Sequence, residues 1–236
     1  DDNGIMPSSV VEHEGKLYLY YIGWSPQSTV SYQLTIGLAV SEDEGLTFQK
    51  YSKGPLLNRD IEEPFFNTAP YVIKEKNMWK MWYVSSTGWK IHKNKTEPLY
   101  RIKHATSLDG INWKRDKNIC VDYNPKTGVE SIGRPCVLNN GNFYEMYFSH
   151  RKSTDYREGE NIANSYKIGM TISKEGINWN TDLSLDILPY KDKWDSNMRE
   201  YCHVFIHNGV KYMIYNGNHF GKYGFGYAIE NSYITQ

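Results

Sequence analysis

The sequence contains no run that approaches the roughly 20 consecutive apolar residues of a transmembrane helix, and its first residues lack the basic and apolar segments of a signal peptide. We therefore expect a soluble protein, with a cytoplasmic location as the working hypothesis and secretion left open.

The protein also has no net charge, because 27 Lys and Arg residues balance 27 Asp and Glu residues. Without a net positive field, neither nucleic acid nor an anionic membrane is an expected partner.

Cysteine is scarce. Cys120, Cys136 and Cys202 stand singly in apolar surroundings, a pattern that excludes a disulfide scaffold and does not supply the low pKa of a catalytic thiol. We expect three reduced core residues.

His203 and His207 lie on a predicted strand without the glutamate of a zincin motif, and no phosphate-binding loop occurs. The sequence thus predicts no metal and no cofactor.

Helical periodicity is absent, whereas aromatic residues are abundant: 20 Tyr, 7 Trp and 8 Phe make up 15% of the chain. Many of them alternate with other residues in short runs bounded by Gly and Asn. Alternation with a period of two is the signature of strands and hairpins. The sequence therefore predicts an all-β protein with very little helix.

A turn motif recurs three times along the chain, and its serine recurs every 66 residues. Each copy follows an alternating run, at 36–40, 102–106 and 168–172, and a fourth such run at 225–229 lacks the motif. The three motifs read SEDEGLTF from Ser41, SLDGINW from Ser107 and SKEGINW from Ser173. Since short side chains and Gly favour tight turns, we interpret these motifs as structural turns at the rim of the fold.

Each repeat unit supplies four predicted strands: an apolar one, an aromatic one, the run before the turn, and a last strand after it at 48–57, 113–121 or 179–188. Serial four-stranded units of about 60 residues are typical of β-propeller blades; solenoid units, the competing architecture, usually have about 20–45 residues. We predict one β-propeller domain with blades at about 1–57, 58–121, 122–190 and 191–236, the last without its outer strand. Residues 1–6 are too short and polar to supply that strand, so we expect either sequence missing before Asp1 or a ring closed in another way.

The motif that begins at Ser41 resembles the Asp-box of sialidase-type propellers, and its looser forms are similar to blade turns of five-bladed propellers of the invertase, levansucrase and arabinanase superfamily, which includes glycoside hydrolase families 32, 43 and 130. Segments 1–11 and 211–218 resemble uncharacterised bacterial glycosidase-like propellers linked with surface-polysaccharide gene clusters. The resemblance spans the whole chain and implies a five-bladed parent whose first blade precedes Asp1. Blade turns indicate architecture rather than chemistry.

First strands line the channel of a propeller, so the segments that enter them are expected to form a central pocket. These segments are charged and would bring several carboxylates together, which raises some pKa values unless arginines or a metal compensate. The candidate catalytic carboxylates are Asp2, Glu130 and Glu200. Candidates for substrate binding are Arg134, Arg199, Asp60, Glu63, His150, Arg151, Trp24, Trp89 and His219. Each carboxylate has a structural role as the alternative to a functional one: it caps a turn or pairs with an arginine in a loop. For each Trp the structural alternative is packing in the core.

Glycoside hydrolysis needs one protonated carboxyl group that donates to the leaving oxygen and one ionised carboxylate that acts as base or nucleophile. The superfamily resemblance implies an Asp base or nucleophile, a second Asp that orients substrate, and a Glu acid. The match is partial, since Arg59-Asp60 lacks the proline of the family-32 Arg-Asp-Pro pattern and Glu200-Tyr201-Cys202 only approximates Glu-Cys-Pro.

The leading hypothesis is a glycosidase-like propeller that binds, and hydrolyses or transfers, a bacterial glycan or activated sugar by acid/base chemistry. The alternative is a non-catalytic propeller that binds carbohydrate or protein through the same face. A sialidase is a third option, but it needs three arginines and a Tyr nucleophile, and only Arg134 and Arg199 are suitably placed. The sugar, the linkage and the oligomeric state stay open at this level.

Overall fold

The computed structural model describes residues 1–124, 126–157, 159–183, 186–188 and 192–230. Almost all of its regular structure is β-strand, which confirms the all-β prediction. The strands are β1 (Ile5–His13), β2 (Lys16–Pro26), β3 (Tyr32–Ser41), β4 (Gln49–Lys50), β5 (Asn67–Glu75), β6 (Met78–His92), β7 (Lys95–Ser107), β8 (Lys114–Val121), β9 (Val129–Asn139), β10 (Tyr144–Lys152), β11 (Lys167–Ser173), β12 (Glu200–His207), β13 (Val210–Asn216) and β14 (Phe225–Ile229). Helix is limited to a 3-10 turn at Ile162–Asn164 and the short α1 at Asn218–Gly221 within the described ranges. Nowhere in these ranges does a helix have the length and apolar character needed to cross a membrane.

Consecutive strands pair as antiparallel meanders. The first sheet has the order β1-β2-β3-β4, and β12-β13-β14 form a separate sheet. Between them, the meanders β5-β6-β7-β8 and β9-β10-β11 join into one sheet through a parallel bridge between Tyr100 and Ser131.

The three predicted last strands are formed to different extents. Segment 113–121 corresponds to β8, whereas segment 48–57 contributes only β4 and a bridge from Leu57 to Ile36. The third, 179–188, contributes a bridge from Asn180 to Ile172, and its residues 184 and 185 lie outside the described residues.

The first strand of each meander carries an irregularity at the corresponding place. The register shifts occur at Pro7/Ser9, Thr68/Tyr71, Gly133/Cys136 and Glu200/His203. At three of these sites a non-glycine residue has left-handed backbone geometry, with φ of 45° at Ala69, 55° at Arg134 and 55° at Tyr201. Such bulges re-aim side chains, and left-handed non-glycine residues are often found at functional sites. The repeat thus turns selected side chains out of the regular pleat at one end of the sheets.

The repeated turns are stabilised by their own side chains. Ser41 Oγ donates to Asp43 Oδ1 at 2.7 Å and accepts the N–H of Gly45 at 2.9 Å. Hydrogen bonds from Thr47 and Ser41 lower the pKa of Asp43 to about 2. Ser107 accepts an equivalent N–H bond from the glycine of the second turn, at 2.9 Å. These Ser, Asp and Thr side chains therefore stabilise the turns in which they lie.

Buried aromatic residues connect the second and third turns to other meanders. Tyr20 of β2 donates its hydroxyl hydrogen to the Gly110 carbonyl at 2.8 Å, and Trp82 of β6 donates its indole N–H to the Gly176 carbonyl at 2.8 Å. Both rings are fully buried, and their polar atoms find partners, as buried Tyr and Trp require. Much of the aromatic excess thus belongs to packing between sheets. The three cysteines are also buried and free, as predicted.

Two glycines provide a matched test of how tightly the sheets pack. A Cβ atom added to Gly37 in β3 would lie 2.2 Å from the Tyr21 ring, whereas one added to Gly54 would meet no atom within 4 Å. We expect Gly37→Ala to lower the free energy of unfolding by about 1–3 kcal/mol, because the ring must move within a packed sheet. Gly54→Ala should change it by less than about 0.5 kcal/mol. Urea unfolding measures both, and equal losses would contradict this packing.

Candidate functional site

A cavity of about 650 Å³ opens where the bulged first strands of the meanders converge. Met6, Ala69, Arg134 and Tyr201 contribute to its wall from β1, β5, β9 and β12 respectively. Its volume lies in the range of small-molecule sites, roughly 300–1,000 Å³. The cavity is therefore a candidate binding site.

The cavity wall includes a group of aromatic residues. Trp24 and Tyr32 meet edge to face, with ring centroids 4.9 Å apart, and Phe66 lies 6.0 Å from Tyr32. The wall also contains arginines and tyrosines, namely Tyr100, Arg134, Arg151, Tyr156, Arg157, Tyr166 and Tyr201.

Arg151 of β10 is held rigidly by these tyrosines. Its side chain is buried, and its Cζ lies 3.6 Å from the ring centroid of Tyr156 and 5.4 Å from that of Tyr166. Cation–π contacts of this kind stabilise a guanidinium group in a desolvated place. Its Nη1 donates to the Lys152 carbonyl at 2.8 Å, while its Nε has no hydrogen-bond partner among the described residues. The guanidinium group of Arg151 is thus fixed in position, and its Nε–H can still donate a hydrogen bond.

Arg134 reaches the cavity from the bulge of β9. Its Nη1 donates to Ser8 Oγ at 2.9 Å, and its Cζ lies 5.7 Å from the ring centroid of Tyr201. The arginines that form ion pairs in the described parts of the chain are Arg101, Arg115, Arg157 and Arg199. Arg134 and Arg151 are not among them, so for two guanidinium groups at the cavity the described residues provide no carboxylate within 4.0 Å.

Glu200 begins β12 directly beside the cavity. It is fully buried, while its neighbour Tyr201 and its strand partner Asn216 both line the cavity. Neither carboxyl oxygen has a hydrogen-bond partner among the described residues. Burial raises the pKa of Glu200 to about 8, although the charges of Arg151 and Arg134 oppose part of this rise. Glu200 therefore holds its proton at neutral pH, the state that a general acid requires.

The other two predicted catalytic carboxylates do not line the cavity. Glu130 forms an ion pair with Lys90, at 3.2 Å from Nζ, and accepts a hydrogen bond from Ser153. Asp2 is exposed and precedes Asn3, whose N–H donates to the Trp24 carbonyl at 3.0 Å. Asp2 therefore lies near the mouth of the cavity, and Glu130 sits within a separate polar contact.

Several predicted binding residues belong to ion networks instead. Arg199 is fully buried and pairs with Asp186. Glu63 is buried and contacts Lys103, and Asp60 pairs with Arg115 at 2.7 Å. Arg199 lies just before β12, whereas Glu200 is close enough to Arg134 and Arg151 for their charges to act on its pKa.

The remaining predictions divide between cavity wall and core. Trp24 and Arg151 line the cavity, whereas Trp89 packs behind it, 5.1 Å from Tyr32 and 5.6 Å from Phe66. His150 is buried next to Phe148, at 5.9 Å between ring centroids. His219 in α1 stacks edge to face with Tyr223 at 5.2 Å and does not line the cavity.

Sequence reasoning missed most of the tyrosine wall. Tyr156, Arg157 and Tyr166 come from residues 153–166, the long connection between β10 and β11. Its length was the available signal, since ordinary hairpin connections have about 2–5 residues and longer ones often carry function. Arg157 is anchored by Glu97, which also accepts the Tyr156 hydroxyl hydrogen at 2.8 Å.

Among the described residues, no group of three or more His, Cys, Asp or Glu is arranged to hold a metal ion.

Known structures with a similar fold are glycoside hydrolases or their complexes. The complex of BT0996 with RGII has a TM-score of 0.72 and 18% identity, covering 98% of this protein and 70% of that one. A thermostable family-43 glycoside hydrolase has a TM-score of 0.68 and 19% identity, with the same coverage of 98% and 70%. The Bombyx mori GH32 β-fructofuranosidase BmSUC1 has a TM-score of 0.63 and 22% identity, covering 89% and 42%. At these identities the likeness shows the fold alone, a propeller-like fold of glycoside hydrolases.

No protein family model matches the chain. Two curated relatives do, the uncharacterised proteins MT1551 and Rv1502 from two strains of Mycobacterium tuberculosis. Each is 33% identical over 232 residues, which cover 97% of this chain and 72% of the relative. The chain therefore belongs to the family of the uncharacterised mycobacterial proteins MT1551 and Rv1502.

Proposed function

We propose that this protein is a glycosidase-like β-propeller that takes a sugar unit of a bacterial glycan, or an activated sugar, into the cavity. Glu200 acts there as the general acid. The observation that carries the proposal is a protonated, buried carboxyl group beside a cavity walled by aromatic rings and arginines. The fold shared with glycoside hydrolases is consistent with this proposal.

In this mechanism Glu200 donates its proton to the leaving-group oxygen, while an ionised carboxylate acts as base or nucleophile. Among the described residues, none that lines the cavity is a carboxylate. Asp2 is the leading candidate for the second role, because the chain next to it bonds to Trp24 at the cavity mouth. Glu130 would have to leave Lys90 to take part.

The architecture belongs to the same proposal. The meanders correspond to propeller blades, with boundaries near 1–57, 58–121, 122–190 and 191–236, and the full-length protein has five blades. In support, the matched region accounts for 72% of the length of the relatives.

The second candidate function is a non-catalytic propeller that binds carbohydrate or protein through this face. The observation in its favour is that Asp2 and Glu130 stay outside the cavity wall. Such a protein would retain sugar stacking on Trp24 and contacts from Arg134 and Arg151, without turnover.

Replacement of Glu200 by Gln tests the catalytic proposal. In the full-length protein, with a panel of aryl-glycosides and polysaccharides, we expect Glu200→Gln to lower kcat by about 10²–10⁴-fold, since general acid catalysis contributes that much. KM should change little, because the amide keeps the shape of the carboxyl group. In the unmodified protein, activity should decline as pH rises through about 8, where Glu200 loses its proton.

Glu42→Gln is the matched control, since this glutamate is exposed and pairs with Lys16 away from the cavity. It should leave kcat and KM unchanged. Full activity in Glu200→Gln would exclude Glu200 as the acid. Sugar binding without turnover in the unmodified protein would favour the binding function.

A further inference from the structure

We infer that the sugar bound in the cavity is acidic, and that Arg134 and Arg151 bind its anionic group while Trp24 and Tyr32 contact its ring. The anionic group is a carboxylate or a phosphate, which share the geometry that arginine recognises. The inference rests on the proposed function for the sugar itself and adds the chemical class of that sugar.

The first observation is an imbalance of charge. Three arginines line the cavity, and Arg157 is neutralised by Glu97, with 3.1 Å between Nη2 and Oε2. Arg134 and Arg151 have no ion-pair partner among the described residues, and burial raises the pKa of Glu200, whose carboxyl group their charges influence, to about 8. Burying a charge without a partner is costly. An anion from outside the chain would supply the missing partner.

The second observation is the fixed geometry of the two arginines. They come from neighbouring antiparallel strands, because Gly133 pairs with Ser149 and Ser131 with Arg151. Tyr156 and the Lys152 carbonyl hold Arg151, while Ser8 holds Arg134. Both guanidinium groups are thus oriented before a ligand arrives, which reduces the entropy that binding must overcome. The unpartnered Nε of Arg151 is buried at this site.

The aromatic part of the wall determines the rest of the ligand. Trp24, Tyr32 and Phe66 line the same cavity as the arginines and contact one another. Aromatic faces suit the apolar face of a sugar ring. An inorganic anion would leave these rings without a contact, and a neutral sugar would leave the two arginine charges unpaired. A sugar ring that carries an anionic group matches both the aromatic residues and the arginines.

The test is calorimetric titration of the full-length protein with D-glucuronate, glucose 6-phosphate, D-glucose and inorganic phosphate. We expect at least one of the two anionic sugars to bind about tenfold or more tightly than glucose, and its affinity to fall with added salt. Whichever anionic sugar binds more tightly identifies the anionic group. Arg134→Gln and Arg151→Gln should each weaken that binding by about 10- to 100-fold, as expected for a charged hydrogen bond.

Arg59→Gln is the control, because it removes the same charge from an exposed side chain outside the cavity. Arg134→Lys should restore part of the affinity that Arg134→Gln loses. Because Arg151 is buried, the affinity of Arg151→Gln is used only if this variant has the same melting temperature as the unmodified protein. If it does not, the affinity of Arg134→Gln alone tests the inference.

Equal affinity for glucose and both anionic sugars, unchanged in Arg134→Gln, would overturn the acidic-sugar inference and leave the proposed function intact. Inorganic phosphate binding as tightly as glucose 6-phosphate would overturn the role of the aromatic wall. Loss of glycoside turnover in Glu200→Gln is measured separately, so failure of the proposed function is distinguishable from failure of this inference.

Discussion

Glu200→Gln is expected to raise the free energy of unfolding by an amount that grows as pH rises from about 4.5 to about 8, because the variant lacks the buried carboxyl group. The pKa of Glu200 is raised by burial from 4.5 to about 8. Between these values the folded protein retains a proton that the unfolded chain has released, so rising pH favours unfolding. At about 1.4 kcal/mol per pH unit, the loss approaches about 5 kcal/mol by pH 8. Below pH 4.5 both states are protonated, and above 8 the loss stays constant.

The measurement is urea unfolding of the unmodified protein and of Glu200→Gln below pH 4.5, near neutrality and above pH 8. The two proteins should have similar stability at the lowest pH, and the variant should be several kcal/mol more stable at the highest. Glu130→Gln serves as the control, because its carboxylate is partly exposed and paired with Lys90; it should change the free energy of unfolding by less than about 1 kcal/mol. Parallel curves for the unmodified protein and Glu200→Gln would show that Glu200 is not desolvated.

Glu63→Gln is expected to lower the free energy of unfolding by about 3–5 kcal/mol, the usual cost of breaking a buried ion pair from one side. The side chains of Glu63 and Lys103 are only 4% and 8% exposed, and their charged atoms lie 2.7 Å apart. Glu63 Oε1 also accepts the Tyr83 hydroxyl hydrogen at 2.9 Å, and Arg115 lies 3.5 Å from Oε2. Replacing the carboxylate leaves Lys103 as an uncompensated buried charge.

A double-mutant cycle separates this cause from a general packing defect. Lys103→Met removes the buried charge, so Glu63→Gln combined with Lys103→Met should cost less than the sum of the single changes by more than about 1 kcal/mol. Glu62→Gln, an exposed neighbour, should cost less than about 0.5 kcal/mol. Strict additivity in urea unfolding would mean that the pair contributes no coupling to stability.

The strands could be predicted because their signal is local. Alternation within β2 or β10 places one set of side chains on each face, whatever the rest of the chain does. The turns at Ser41 and Ser107 were equally readable, since the side chains that close each turn lie within a few residues of one another. The weak last strand at 48–57 was overestimated, because only two of its residues pair as β4.

Some of the predicted site residues meet at the candidate cavity. Arg134, Arg151 and Trp24 line it and Glu200 adjoins it. Arg199 instead pairs with Asp186, 13 positions earlier, and a contact between two segments outside the regular strands leaves no periodic signal in the sequence. The tyrosines of residues 153–166 escaped prediction since a connection without periodicity carries no signal for where its side chains point.

The sequence by itself determined the all-β class, the order of the strands and the repeated turns, because each depends on residues close together in the chain. Only the tertiary structure decided that Glu200 is desolvated, that Glu63 belongs to an ion pair, and that Arg134 and Arg151 share a cavity to whose wall no described carboxylate contributes. Burial and charge pairing are set by residues far apart, such as Arg134 and Ser8, which are separated by 126 positions. The free energy of a charged group depends on everything that replaces its water, and that is known only once the sheets have packed.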